Sequence, residues 1–263
     1  MRSIIWRLVA VAVSVLGFGA AALAPAAAAT GPRVFSAEQA GYAATGARFR
    51  YIETTFRLPD ATTFNSELGA DNGGVGLSVQ LISSENTWLV LSFNTITASG
   101  VWAASWANEF NAGGCPGPFT GFAGSLGPNG WAVAGNLVTI KEFYNRTTGK
   151  VRLTAVDDTT GESHFTDVSV PTTQYTQARV GAEFGQEPCQ SAGTYTPPAN
   201  ATKLRTFRAT KLTTYGGFRS GLSAWWTHSK VFMTNDGTPT GKVEVIPHGL
   251  WNGGHNFGVY LQP

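Results

Sequence analysis

The sequence predicts an all-β protein, a sandwich or barrel built from short antiparallel strands. Apolar and polar side chains alternate over many short runs, which is the period of a half-buried strand. Helical periodicity is almost absent after residue 29, and clusters of turn residues separate the runs. Glycine accounts for 32 of the 263 residues, as expected of a chain with frequent turns. Many short strands with frequent turns are typical of sandwiches and barrels.

The first long run, Arg50–Leu58, shows the alternation most clearly. Ile52 and Phe56 fall on one face of the predicted strand, and Pro59 ends it. Ten further runs of the same kind predict strands over Val75–Ile82, Thr87–Asn94, Val101–Phe110, Leu137–Asn145, Val151–Val156, His164–Val170, Arg179–Phe184, Thr206–Tyr215, Lys242–Ile246 and Phe257–Leu261.

Two similar turns, Asn145–Gly149 and Asp158–Gly161, connect strands in the middle of the chain. Each places a glycine where a tight hairpin requires positive φ, so a three-stranded meander is predicted there. Two segments rich in turn residues, Asn111–Gly130 and Gln190–Ala201, are predicted to be long surface loops.

Residues 1–29 have the three parts of a secretory signal peptide. Arg2 and Arg7 provide a positive start, an uncharged apolar stretch follows to about Leu23, and small residues lead to Ala29. We therefore expect export, cleavage near Ala29, and a mature chain, residues 30–263, that forms one domain. A retained membrane anchor is the alternative. No second long apolar run follows, so no membrane association is expected after cleavage.

The charge and the cysteine content limit the partners and the covalent bonds that can be expected. The formal net charge of +2 falls to about zero once Arg2 and Arg7 are removed, which gives no electrostatic case for nucleic acid or anionic membrane. Cys115 and Cys189 are the two cysteines. In an oxidising compartment they are expected to form one disulfide, with two free thiols as the alternative. We expect a monomer.

Several classes of catalytic site are not supported by the sequence. It contains no Gly-x-Ser-x-Gly elbow, no phosphate-binding glycine loop and no His-Glu-x-x-His pair. His248 and His255 lie seven residues apart across a glycine-rich loop, which is weak spacing for a metal site. We therefore expect neither metal nor cofactor. Serines are plentiful, but no motif distinguishes one of them as a nucleophile.

The clearest chemical feature is a pair of acids, Glu183 and Glu187, on one predicted strand face with Gly185 between them. Two like charges on one face should raise one pKa, as catalysis by a carboxyl group requires; a solvated face is the alternative. A glycosidase is disfavoured, because four residues of strand span about 13 Å. The carboxyl groups of a glycosidase pair lie about 5 Å or about 6.5–9.5 Å apart.

Four blocks of sequence, in order, resemble one family. They are Gln39–Gly46 followed by Tyr51–Pro59, then Val75–Leu77, then Glu183–Pro188, and finally Lys230–Asn235 with Pro247, Leu250, Gly253, Gly254 and Phe257. In these blocks the chain resembles the glutamic peptidases, or eqolisins, which are secreted acid endopeptidases. The resemblance implies a concanavalin-like sandwich of two antiparallel sheets and a polypeptide substrate.

The resemblance also implies a mechanism in which a glutamate activates water and a glutamine amide holds the oxyanion. The glutamate position maps onto Glu187, with Glu183 as its partner on the strand. By ungapped count the glutamine position holds Val90, which cannot donate a hydrogen bond. Gln80, on the neighbouring predicted strand, or Ser92 could substitute for the missing donor.

A Trp-x-Glu-like motif of the family also matches in part. Trp106 fits its tryptophan, and the acid falls on Asn108 unless one residue slips to Glu109.

Two functions remain open from the sequence. One is a divergent acid endopeptidase with Glu187 and Gln80 as catalytic residues. Its substrate-binding residues are predicted to be Glu183, Trp88, Ser92 and Trp106. The other is an inactive sandwich that binds peptide or carbohydrate on a concave face lined by Trp88, Trp102 and Trp106. The alternative for these tryptophans is packing in the core.

Overall fold

The structure is a computed structural model that describes residues 30–36, 39–60, 75–84, 87–96, 101–110, 120–170, 174–184, 205–223, 226–234 and 237–261. Every regular element in these ranges is a β-strand. The strands are β1 Val34–Ser36, β2 Gln39–Thr45, β3 Phe49–Arg57, β4 Val75–Ser83, β5 Thr87–Ile96, β6 Val101–Phe110, β7 Thr120–Leu126, β8 Leu137–Asn145, β9 Lys150–Asp157, β10 Ser163–Ser169, β11 Tyr175–Phe184, β12 Arg205–Thr214, β13 Arg219–Ser220, β14 Thr227–Thr234, β15 Val243–Pro247 and β16 Phe257–Leu261.

All eleven predicted strands are present, with ends that differ by a few residues. Five further strands are not among the eleven that the alternation predicts: β1, β2, β7, β13 and β14. The prediction of a loop over Asn111–Gly130 is wrong for its second half, because β7 lies there and pairs with β6. The sequence of β7, Thr-Gly-Phe-Ala-Gly-Ser-Leu, has too few large apolar residues to show alternation.

The strands form one hydrogen-bonded network in the order β10-β9-β8-β3-β12-β16-β15-β14-β2-β11-β4-β5-β6-β7. The strand pairs are antiparallel, except that β1 runs parallel to β14. A further pairing of Tyr175 on β11 with Phe49 on β3 closes seven of the strands into a ring. The predicted antiparallel all-β architecture is therefore confirmed, whereas its division into two separate sheets stays a prediction.

Aromatic side chains join facing strands across the interior. Phe56 on β3 meets Phe93 on β5 edge to face, with ring centroids 6.2 Å apart, and also meets Phe207 on β12 at 5.7 Å. Phe207 in turn stacks on Phe257 of β16 at 4.7 Å. All four rings are fully buried, so β5 shares one core with β3, β12 and β16. Burial of such rings is a major favourable term in folding.

The predicted meander is confirmed as β8, β9 and β10, which pair in sequence. Gly149 has a φ of 67° and Gly161 a φ of 82°, the left-handed values that the two turns require.

No helix long and apolar enough to cross a membrane occurs in the described ranges. Several predicted features lie outside those ranges: the signal peptide over residues 1–29, the loop Gln190–Ala201, Glu187, Cys115 and Cys189. The signal peptide and the disulfide therefore stay predictions.

Candidate functional site

The candidate site lies on the face of β11, β4, β5 and β6 that points away from the Phe56–Phe93 core. We call this surface the open face. Directly paired residues of neighbouring strands lie on the same face. Paired residues form three rows across it, Glu183–Gly76–Asn94, Ser78–Ser92–Ser105–Ser125 and Arg179–Gln80–Val90.

Glu183 and Gln80 converge over Ser78. One carboxylate oxygen of Glu183, Oε1, accepts a hydrogen bond from Ser78 Oγ at 2.7 Å and another from the side-chain amide of Gln80. Ser78 and Gln80 are buried, and Glu183 is half-buried. Donors fixed in the sheet therefore hold the carboxylate in place, as a reacting group requires.

Gly76 leaves room for the Asn94 side chain beside this carboxylate. A Cβ atom at Gly76 would lie 2.5 Å from Asn94 Oδ1, which is too close, and 3.6 Å from Glu183 Oε2, which is an ordinary contact. The amide of Asn94 itself donates to Ser92 Oγ at 2.8 Å and to Ser105 Oγ at 2.6 Å. A side chain at position 76 would therefore displace Asn94 from this hydrogen-bonded position.

A cleft of about 520 Å³ opens over these rows. It is lined by Val90, Ser92, Asn94, Ser105, Trp106, Ala107, Ala123, Gly124, Ser125 and Glu183. Of the predicted site residues, Glu183, Ser92 and Trp106 thus lie around one space, and Gln80 adjoins it through Glu183.

Arg179 carries a second charge on the open face. Its guanidinium carbon lies 4.8 Å from the ring centroid of Trp88. Burial lowers the pKa of Arg179 to about 10, while the negative charge of Glu183 acts in the opposite direction. The stacked pair forms an apolar and cationic border beside Gln80.

The three tryptophans do not share one role. Trp88 shares the open face with Val90 and Ser92, as the alternation predicts, and it lies beside Arg179. Trp102 does not line that face: it is fully buried in the core, and its indole N–H donates to the Pro59 carbonyl at 2.9 Å. Trp106 is partly buried against the core and borders the cleft at its edge. A face lined by three tryptophans is therefore not formed.

A buried acid, Glu142 on β8, was missed in the sequence. Its side chain is fully buried, and burial raises the pKa of its carboxyl group well above the usual range; Glu183 adds to the rise. The signal that could have found it is periodic, because Val138, Ile140, Glu142 and Tyr144 are alternate residues of β8 and all four are buried. Asn108, the position matched to the acid of the family motif, is also fully buried.

The structure leaves several predicted residues undescribed. Glu187, Cys115 and Cys189 lie outside the described ranges, as does the side chain of Glu109. Within the described part of the chain, no cluster of three or more His, Cys, Asp and Glu residues could hold a metal ion.

Comparison with solved structures places this geometry among known folds. Scytalido-glutamic peptidase, solved with a peptide-based transition state analog, matches with a TM-score of 0.59 and 13% identity. SCP-B, a member of the eqolisin family of peptidases in complex with the tripeptide Ala-Ile-His, matches with a TM-score of 0.57 and 13% identity. Each match covers 87% of this chain and 100% of the other.

The chain has a glutamic peptidase-like fold. The predicted resemblance is therefore confirmed at the level of structure. No protein-family model and no curated protein matches the sequence. A glutamic peptidase-like fold does not by itself establish peptidase chemistry, which depends on the residues in the site.

Proposed function

We propose that the protein is a secreted acid endopeptidase in which Glu183 activates water and Gln80 stabilises the oxyanion. The observation that supports this is the hydrogen bond from the Gln80 amide to the Glu183 carboxylate beside an open cleft. A carboxylate and a neutral amide, held together, are the two groups that water attack on a peptide carbonyl needs.

The proposed reaction begins with a water molecule beside Glu183. As the water oxygen bonds to the scissile carbonyl carbon, its proton passes to the Glu183 carboxylate. A glutamine amide has two N–H donors. One Gln80 N–H orients Glu183, and the other is proposed to donate to the oxyanion. Glu183 then returns the proton to the leaving nitrogen as the C–N bond breaks.

The position of Gln80 offers a solution to the missing family glutamine. Val90 holds the family position on β5, and Gln80 is its direct partner on β4. The Cβ atoms of such partners lie about 4.5–5.5 Å apart on one face. An amide on β4 can therefore reach the space that an amide on β5 would occupy. Ser92, in the neighbouring row, is the second candidate donor.

The proposal includes activity at acid pH. A general base is most effective near its own pKa, and the ordinary pKa of a glutamate is about 4.3. Glu187, four residues beyond Glu183, remains the competing candidate for the base because it matches the family position. The two assignments are separated by single substitutions, as described below.

The remaining proposals concern the whole protein. We propose export through the signal peptide of residues 1–29, a mature monomeric domain of residues 30–263 with two packed sheets, and a Cys115–Cys189 disulfide. The substrate is a polypeptide. The alternative is a non-catalytic protein that binds peptide or carbohydrate on the open face, where the stacked Arg179 and Trp88 favour binding.

The test is proteolysis of a denatured protein substrate by the mature chain from about pH 2 to about pH 8. Wild type is compared with Glu183→Gln, Glu187→Gln and the exposed control Glu162→Gln. Cleavage at acid pH that is lost in Glu183→Gln alone supports the proposal. Loss in Glu187→Gln alone moves the base to Glu187. No cleavage by folded wild type at any pH supports the binding alternative.

A further inference from the structure

A second cavity, of about 610 Å³, lies away from the Glu183 cleft. It is lined by Thr30, Gly31, Arg33, Tyr42, Ser223, His228, Lys230, Phe232, Gly249, Leu250, Gly253 and Gly254. None of these residues lines the Glu183 cleft. The volume falls in the range of small-molecule sites, about 300–1,000 Å³.

The two sites lie on opposite faces of β2. Gln39 of β2 pairs with Glu183 and therefore points to the same side of the sheet as the open face. Tyr42 is three residues further along the strand and therefore points to the other side. Lys230 pairs with Tyr42 and so shares its face. Occupancy of the second cavity should therefore not obstruct the Glu183 cleft.

The charged side chains among the described residues that line the second cavity are cations. They are Arg33 and Lys230, and no described lining residue is an Asp or Glu. Neither Arg33 nor Lys230 forms an ion pair with any carboxylate in the ranges that the structure describes. Two unpaired cations around a concave space attract an anion and can form charge-assisted hydrogen bonds to it.

Two polar side-chain atoms of the lining are not available to a ligand. The hydroxyl group of Tyr42 already donates to the His248 carbonyl at 2.6 Å. Nδ1 of His228 is buried and has no hydrogen-bond partner among the described residues. The charge-assisted contacts of an anion in this cavity are therefore assigned to Arg33 and Lys230.

The cavity also has apolar surfaces and fixed walls. Phe232 lies under the guanidinium of Arg33 at 5.2 Å, and Tyr42 and Leu250 contribute further apolar surface. Gly31 N–H donates to the His228 carbonyl at 2.7 Å on one wall. Leu222 N–H donates to the Gly254 carbonyl at 2.8 Å on another. The space is thus bounded by hydrogen-bonded backbone.

We propose that this second cavity binds a small organic anion, a carboxylate joined to an aromatic or other apolar group. The carboxylate lies between Arg33 and Lys230, and the apolar part packs against Tyr42, Phe232 and Leu250. This site is independent of the peptidase proposal and requires no catalytic activity.

The probe is benzoate, which combines one carboxylate with one ring. It is compared with benzyl alcohol, which keeps the ring and lacks the charge, and with acetate and inorganic phosphate, which lack the ring. Binding is measured by calorimetry and by the shift in melting temperature of the mature chain, up to about 10 mM ligand. The variants are Lys230→Gln, Arg33→Gln and the control Lys150→Gln, which removes an exposed lysine on β9.

We expect benzoate to bind and to raise the melting temperature, with weaker binding of the other three probes. Lys230→Gln and Arg33→Gln should each weaken benzoate binding by about tenfold or more, and Lys150→Gln should not. Unligated melting temperatures show whether each variant folds. The proposal is overturned by absent benzoate binding, by equal binding of benzyl alcohol or phosphate, or by equal benzoate affinity in all variants.

Discussion

The side-chain amide of Gln80 donates a hydrogen bond to the carboxylate of Glu183, although 103 positions separate the two residues in the chain. The antiparallel pairing of β4 with β11 brings them together over Ser78. Because both residues stand on paired strands of a continuous sheet, their relative position is fixed by backbone hydrogen bonds. Sites on rigid elements hold reacting groups more accurately than sites on loops.

The first prediction is that Glu183→Gln removes proteolysis and leaves the fold intact. Glutamine keeps the size of the side chain but cannot accept a proton from water. Loss of a general base lowers kcat by about a hundred- to ten-thousandfold. The measurement is the rate of cleavage of a denatured protein substrate at acid pH, together with the melting temperature of the variant.

Glu162→Gln provides the control for this prediction. Glu162 is an exposed acid outside the candidate site, where its carboxylate pairs with the His164 ring. Its replacement should change neither the rate of substrate cleavage nor the melting temperature. Full activity in Glu183→Gln would contradict the assignment of the base.

The second prediction concerns the amide donor. Gln80→Leu removes both N–H groups from the open face and replaces the amide with an apolar side chain of similar size. Loss of one oxyanion donor costs roughly a hundred- to thousandfold in kcat, or about 2.7–4 kcal/mol. Because Gln80 also orients Glu183, kcat for a peptide substrate should fall by at least about a hundredfold.

A rescue variant separates chemistry from packing. Val90 is the direct partner of Gln80, so Val90→Gln places an amide on the same face. In the Gln80→Leu background, this second substitution should restore part of the lost kcat. Recovery with Val90→Leu in place of Val90→Gln would show that packing, not hydrogen bonding, was lost.

The sequence predicts most of the strands because the alternation of apolar and polar residues can be read within each strand, without knowledge of its neighbours. It misses β7, whose glycine and serine residues give no apolar alternation, and β2, whose Gln-Ala-Gly-Tyr-Ala-Ala-Thr contains small residues on both faces. β2 is buried on both sides within the ring, so no polar face marks it.

The candidate site was harder to predict than the strands. Gln80 and Glu183 could each be named from the sequence, but their contact depends on the register of strands distant in the chain. The same limit applies to the tryptophans. Trp102 and Trp106 fall on one side of β6 by alternation, yet which side meets the core is decided by the tertiary packing of the sheet, which places Trp102 in the core and Trp106 against it. Only the fold separates Trp88 from the buried Trp102.

The third prediction concerns a charged cluster on β3 and β12. Glu53 accepts hydrogen bonds from Lys211 Nζ at 2.7 Å and from the hydroxyl of Tyr51, and it pairs with Arg219 at 3.1 Å. Burial acts to raise the pKa of Glu53, but these hydrogen bonds and charges outweigh it and lower the pKa below 4.5. Glu53→Gln should lower the free energy of unfolding by about 1–3 kcal/mol at neutral pH.

The pH dependence tests this cluster directly. A lowered pKa gives stability that is present above the unfolded-state value and is lost as pH falls through the folded-state value. The difference in free energy of unfolding between wild type and Glu53→Gln, measured by chemical denaturation, should therefore shrink below about pH 4. A difference that stays constant from neutral to acid pH would assign the effect to shape and packing.

The fourth prediction concerns Glu142, the acid buried in the core. Burial raises its pKa well above 4.5, with a further rise caused by Glu183. A raised pKa gives stability that is fully present at acid pH and is lost as pH rises from the unfolded-state value to the folded-state value. The free energy of unfolding of the wild type should therefore fall by up to about 1.4 kcal/mol for each unit of rising pH through this group.

Glu142→Gln removes this titration and should flatten the curve of unfolding free energy against pH. At about pH 3 the carboxyl is protonated in the folded and unfolded states, so wild type and variant should have similar stability. At pH 7 the variant should be more stable, because folding no longer retains a proton that the unfolded chain releases. The measurement is urea denaturation at several pH values, with Glu162→Gln as the exposed-acid control. Parallel curves for wild type and Glu142→Gln would show that Glu142 titrates alike in both states.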